Sequence, residues 1–213
     1  MNPEKTPYFS LAFAEHGSCE YRRSLSEVEA QHDFSIGNHI EQTILGQHDY
    51  RVLDIGSGNS TLPSELAERY PDISVVSTDL YSPSERDFNI PTSLNHCFIQ
   101  ADGEQLPIAD SSCNLVIMTW ASSAYANMGL RSDSTSYILE VGRVLKPGGT
   151  ALIRPESSKI LGTFGLDNII ANDKLNPSIV LKAAHYKILT DAGYKLRWQE
   201  DPNCIRIHRP PIN

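Results

Sequence analysis

The sequence predicts an α/β fold: a mostly parallel seven-stranded sheet with helices on both faces, behind a short N-terminal helical extension. Three observations carry this. From Tyr50 onward, short apolar runs alternate with stretches of helical periodicity. The first apolar run ends in a glycine-rich turn, Gly56-Ser57-Gly58. The next two runs end near an aspartate, Asp79 and Asp102. Strand–helix alternation implies βαβ units with right-handed crossovers, which bring the strand C-terminal ends to one edge. Ligands of such sheets bind along that edge.

The first strand is expected over Arg51 to Ile55. Leu62, Leu66, Ala67 and Tyr70 then recur at helical spacing. Pro63 sits in the first turn, where its missing N–H costs nothing, and Glu65 suits the positive helix end. Pro71-Asp72 ends this helix. The second, third and fourth strands are expected over Ile73 to Ser77, His96 to Gln100 and Asn114 to Thr119. Tyr137 to Leu145 reads as a helix stopped by Lys146-Pro147-Gly148-Gly149, and Thr150 to Arg154 as the fifth strand. A helix over Ile179 to Ala192 ends at Gly193. Tyr194 to Gln199 and Cys204 to His208 complete the seven strands.

Residues 1–45 read differently, as a polar extension or cap before a main domain at 46–213. Ile36, Ile40 and Ile44 are spaced for a helix, but Gly37 and Asn38 weaken a single long one. Two short helices are expected between Ser26 and Leu45.

Composition narrows the function. The 213 residues are 40% hydrophobic and 21% charged, which suits a globular domain. A formal net charge of -8 repels phosphate backbones, so no nucleic-acid partner is expected. Lys and Arg number 18, with no run longer than Arg22-Arg23. The four cysteines, Cys19, Cys97, Cys113 and Cys204, are scattered without metal-ligand spacing. They read as small buried thiols of a reducing compartment, and no metal is expected. No signal pattern opens the chain, and no apolar run nears the ~20 residues of a membrane span. A soluble, cytoplasmic protein is expected.

Four features fall at strand C-terminal ends. Asp54-Ile55-Gly56-Ser57-Gly58-Asn59-Ser60 spans the end of the first strand, and its glycines allow a tight turn and close ligand approach. A pyrophosphate-binding turn would want a third glycine where Thr61 stands, which disfavours a dinucleotide. Asp79, followed by Leu80, is placed to accept hydrogen bonds from ribose hydroxyls. Asp102-Gly103-Glu104 could accept from an adenine amino group. Thr119-Trp120-Ala121 ends the fourth strand, where Trp120 could stack on a ligand or pack in the core.

These residues resemble the Rossmann-like class I S-adenosylmethionine-dependent methyltransferases, nearest to the group with the ubiquinone and menaquinone C-methyltransferases. The likeness covers about residues 50 to 200 and is best over 50 to 154. Val52 to Gly58 is similar to the family's first motif. Asp79 corresponds to its ribose-binding acid. The run Asp102 to Ile108 with Asp110-Ser111-Ser112 is similar to its adenine-side loop, and Glu140 to Thr150 to its turn before the fifth strand. The family's third glycine is Ser60 here, which can cap the following helix. The family's helix over Tyr81 to Asn95 is expected to be shortened or replaced, given Pro83 and Pro91. No Asn-Pro-Pro-Tyr follows Thr119, which disfavours adenine-amino and glutamine-amide acceptors.

The resemblance implies S-adenosyl-L-methionine as cofactor, held by Asp54, Gly56, Ser57, Gly58, Asp79, Leu80, Asp102, Gly103, Thr119 and Trp120. It implies methyl transfer to a small-molecule acceptor. Methylation of a protein lysine or terminus, and a non-catalytic cofactor-binding subunit, stay open as alternatives. His16, Tyr21, His32, Tyr125, Glu156 and His185 are candidate bases with no motif behind any of them, so no catalytic residue is assigned. The acceptor pocket is expected from the N-terminal extension and Pro155 to Pro177. Oligomeric state is not legible.

Overall fold

The computed structural model describes residues 23–44, 49–80, 93–119, 136–154, 188–199 and 204–212. Their elements are α1 (Leu25–His32), α2 (Ile36–Ile44), β1 (Arg51–Ile55), α3 (Leu62–Arg69), β2 (Ser74–Asp79) and β3 (His96–Gln100). They continue with β4 (Cys113–Thr119), α4 (Ser136–Val144), β5 (Leu145–Arg154), β6 (Lys195–Gln199) and β7 (Cys204–His208). The seven strands form one sheet of order β3-β2-β1-β4-β5-β7-β6. Strands β1 to β5 pair in parallel, while β7 runs antiparallel to both β5 and β6. After β1 the chain builds outward through β2 and β3, then returns to place β4 on β1's other side. The β1/β4 boundary is therefore where strand order reverses, the usual ligand crevice of an open α/β sheet.

Side-chain alternation divides the core into two layers. Val52, Leu115, Ile117 and Leu152 face Leu25, Val28, Ile36, Ile40, Leu62 and Leu66, on the side of α1, α2 and α3. Leu53, Val116, Met118, Ala151 and Ile153 face Ile138, Val141 and Val144 of α4. β4 is buried along its whole length, as expected for a central parallel strand.

The two short helices of the extension are present. Ser24 caps α1 with Glu27 in a reciprocal capping box, and Asp33 ends it in the left-handed region at φ 44°. Both helices pack into the sheet's core layer.

Three expectations need correction. β2 begins one residue later than Ile73, at Ser74, and ends at Asp79 as expected. β5 starts at Leu145, five residues before Thr150, because Leu145 already pairs with Cys113 before a register shift. The Pro-Gly-Gly turn is absorbed as an irregularity in the strand. Gly148 adopts φ 82° there, and its N–H donates to the Arg209 carbonyl at 2.7 Å. Among the described cysteines, Cys113 and Cys204 are buried, but Cys97 is exposed. Of the helix expected to end at Ala192, residues 188–191 are described and helical. The stretches 81–92 and 155–187, including the expected acceptor segment, lie outside the described residues. No helix among the described residues is long and apolar enough to cross a membrane.

Candidate functional site

The C-terminal ends of β1, β2 and β3 come together as the sequence implied. After Ile55 the backbone turns through Gly56 at φ 68° and Gly58 at φ 52°. A Cβ carries a penalty in this left-handed region, so both turns favour glycine. The Ser57 N–H donates to the Thr78 carbonyl at 2.9 Å, and the Gly58 N–H to Asp79 Oδ2 at 2.9 Å. These bonds fix the turn against the end of β2. The Ala101 N–H donates to the Asp79 carbonyl at 2.8 Å, which draws the β3 loop to the same place. Within that loop Asp102 Oδ1 accepts from the Glu104 N–H at 2.9 Å. A Cβ on Gly103 would stand 3.1 Å from Ile55 Cγ2, so the loop lies close over the end of β1. Leu80 contributes its carbonyl to Gln100 Nε2 at 2.9 Å.

Helix α4 braces the same loop from beneath. Glu140 Oε2 accepts from the Leu106 N–H at 2.9 Å, and Arg143 donates to the Leu106 and Ile108 carbonyls at 3.0 and 2.7 Å. Arg143 also pairs with Glu140 and Asp110. The Glu140 carboxyl is held below its ordinary value, chiefly by its hydrogen bond from Arg143.

Asp54 faces the α1 side of the sheet and is 1% exposed. Neither carboxylate oxygen has a hydrogen-bond partner, and neither does the buried hydroxyl of Ser57. Burial pushes the Asp54 carboxyl up to about 6; Asp79 adds to the rise and Arg23 opposes it. Buried polar atoms are rarely left unpaired without a reason such as an absent ligand. The glycine turn, Asp79 and the Asp102 loop together present backbone groups and carboxylates to a shared edge. That donor and acceptor set fits a cationic, hydroxyl-bearing ligand.

Thr119 ends β4 with its side chain buried, and its Oγ1 lies 3.0 Å from His32 Nε2. Its contribution to the crevice is thus its backbone, since the hydroxyl is engaged by α1. Trp120 lies outside the described residues, as do His16, Tyr21, Tyr125, Glu156 and His185. His32 is fully buried, and burial, with Arg154, Arg206 and Arg23 nearby, drives its imidazole down to about 3. It is neutral at ordinary pH and a weak base.

The residue that sequence reasoning missed is Arg23. It is 6% exposed and lies across the β1/β4 boundary. Its Nη2 donates to the carbonyls of Gly56 at 2.7 Å and Ser57 at 2.8 Å, and its Nη1 to the carbonyl of Thr119. Its own carbonyl accepts from the Thr61 and Leu62 N–H groups at 3.0 and 3.1 Å and from the Ser60 hydroxyl at 2.7 Å. Ser60 Oγ in turn accepts from the Leu62 N–H at 3.2 Å, so it serves the start of α3. The Leu25 N–H donates to Glu65 Oε2 at 2.9 Å, which ties the starts of α1 and α3 together. The capping box Ser24 to Glu27 was the available signal that a helix begins just after Arg23.

Residues 53–153 match the family described as "Methyltransferase domain". The chain is 29% identical over 119 residues to the demethylmenaquinone methyltransferase of Deinococcus radiodurans, covering 54% of this chain and 46% of that protein. It is 33% identical over 76 residues to the malonyl-[acyl-carrier protein] O-methyltransferase of Geobacter sulfurreducens, covering 35% of this chain and 28% of that protein. The chain thus spans less than half the length of these two curated relatives. In fold it is similar to the antibiotic-resistance methyltransferase Kmr, with a TM-score of 0.52 at 15% identity, covering 81% of this chain and 92% of that one.

Proposed function

We infer that this chain, whose residues 53–153 match the family described as "Methyltransferase domain", is a class I S-adenosylmethionine-dependent methyltransferase that transfers a methyl group to a small-molecule acceptor. The observation that carries the reading is the Gly56–Gly58 turn bonded to Asp79 beside an orphaned, buried Asp54. In this reading Asp79 accepts from the ribose hydroxyls, and the Asp102 loop borders the adenine. Asp54 and the carbonyls at the β1 and β4 ends form a negative pit for the methionine part.

When bound, the cofactor would supply an electrophilic sulfonium methyl and leave as the neutral thioether, and the acceptor's proton would pass to base or solvent. The chain's own work is alignment and exclusion of water. Glu140 and Arg143 hold the adenine-side loop in place. Asp79 holds the Gly58 amide, which sets the shape of the turn. The neutral His32 braces the end of β4 through Thr119. No described residue is assigned as base. The quinone- and acyl-carrier-directed activities in the names of its relatives make an apolar or carboxylate-bearing small molecule the first acceptor class to try.

The test is incubation of the full chain with methyl-labelled cofactor and a metabolite extract. Label in a small organic product supports the reading. Label only in protein favours a lysine or terminal acceptor, and cofactor binding without any turnover favours a non-catalytic subunit.

A further inference from the structure

We propose that Arg23 is a built-in occupant of the cofactor crevice, and that its guanidinium must withdraw before the methionine end of the cofactor can seat. The proposal rests on the cofactor reading above and concerns regulation of that same site.

Three carbonyl oxygens converge at the β1/β4 boundary, from Gly56, Ser57 and Thr119. Strand order reverses there, so this is where an open α/β sheet receives its ligand. All three oxygens are taken by one guanidinium from outside the sheet. Next to them Asp54 is buried with both carboxylate oxygens unbonded. Such a pit selects for a cation with several donors. Arg23 satisfies part of that demand: it reaches three carbonyls, and it leaves the carboxylate without a hydrogen bond.

The proposed cofactor carries a compact cation of its own, the α-ammonium, with three N–H donors. An ammonium is small enough to enter where the planar guanidinium only bridges the rim, so it can serve carbonyls and carboxylate together. The two cations therefore compete for the same oxygens. The backbone of Arg23 need not leave. Its carbonyl stays on Ser60, Thr61 and Leu62, and the adjoining Leu25 N–H stays on Glu65, so the side chain alone swings out. The free protein would then hold its cofactor site closed, and the apparent affinity would be reduced by the fraction of molecules in the open state.

The experiment compares wild type and Arg23→Ala by calorimetry against two nucleosides. S-adenosylhomocysteine carries the ammonium; 5′-methylthioadenosine has the same nucleoside and thioether without it. The variant is expected to bind S-adenosylhomocysteine about fivefold tighter or more, with methylthioadenosine affinity unchanged. Weaker or unchanged S-adenosylhomocysteine binding in the variant overturns the proposal, while methylthioadenosine binding by both proteins would leave the cofactor reading standing. Binding of neither nucleoside by either protein sinks both.

Should the variant not fold, the wild-type protein decides the matter alone. With 15N-arginine labelling, the slowly exchanging Arg23 side-chain signal should give way to a solvent-exposed one under saturating S-adenosylhomocysteine, and not under methylthioadenosine. A signal that stays protected contradicts the proposal.

Discussion

The Gly58 amide donates to the Asp79 carboxylate at 2.9 Å, and this bond joins the turn after β1 to the end of β2. The two residues are 21 positions apart in sequence. One carboxylate oxygen is thereby spent on shaping the turn, and Asp79 remains half-buried at the crevice edge.

Replacing Asp79 with alanine should therefore do two things. It would remove the proposed ribose acceptor and release the Gly58 amide. Affinity for S-adenosylhomocysteine is expected to fall at least about tenfold, or ~1.4 kcal/mol, with little change in far-ultraviolet circular dichroism. Calorimetry reads the first and the melting curve the second.

Asp54 makes a pH prediction. Its folded carboxyl titrates at about 6 against an ordinary 3.8. The folded state thus binds more protons across that window, so this group's contribution is favourable below 3.8 and is lost as pH rises through about 6. At pH 7 the ionised Asp54 should cost the ligand-free protein on the order of 3 kcal/mol. Asp54→Asn should then raise the melting temperature at pH 7 and change it little at pH 4, while weakening cofactor binding. A lower melting temperature at pH 7 would contradict the orphaned state of this carboxylate.

His32 works with the opposite sign. Its folded value of about 3 lies below the ordinary 6.5. The stability it contributes is complete above 6.5 and is lost as pH falls toward 3. Acid melting between these limits should be shallower in His32→Gln than in wild type, because the glutamine has no proton to take up. Differential scanning calorimetry across the window measures this slope.

Gly149 tests the absorbed turn in β5. A Cβ there would meet the Lys146 carbonyl at 2.8 Å and the Asn114 carbonyl at 3.0 Å. Both obstacles are backbone, so the strain cannot be relieved by a rotamer change. Gly149→Ala is expected to lower stability by about 1–3 kcal/mol, read from denaturant unfolding.

The legible part of this fold was the part written in local pattern. Central parallel strands are buried on both faces, so β1 and β4 read as mainly apolar runs without a strict polar alternation. The ends of β1, β2 and β3 could be located because Gly56 with Gly58, then Asp79, then Asp102 each break such a run with a turn or an acid. The start of β5 was misread because Pro147-Gly148-Gly149 is a strong turn signal, and only the distant pairing of Cys113 with Leu145 keeps it in the sheet. Arg23 was illegible for a related reason. Its partners lie 33, 34 and 96 residues away, and they are carbonyl oxygens, which any residue type supplies. The bond between His32 and Thr119, 87 residues apart, escaped in the same way.

The central claim is that the glycine turn, Asp79 and the Asp102 loop form one nucleoside site at the sheet edge. The most direct measurement is a calorimetric titration of the full chain with S-adenosylhomocysteine, run in parallel with NAD. Saturable one-to-one binding of S-adenosylhomocysteine, at least about tenfold weaker in Asp79→Ala and absent with NAD, is the predicted result. No heat from S-adenosylhomocysteine at millimolar levels, or equal binding by the Asp79→Ala protein, would contradict it.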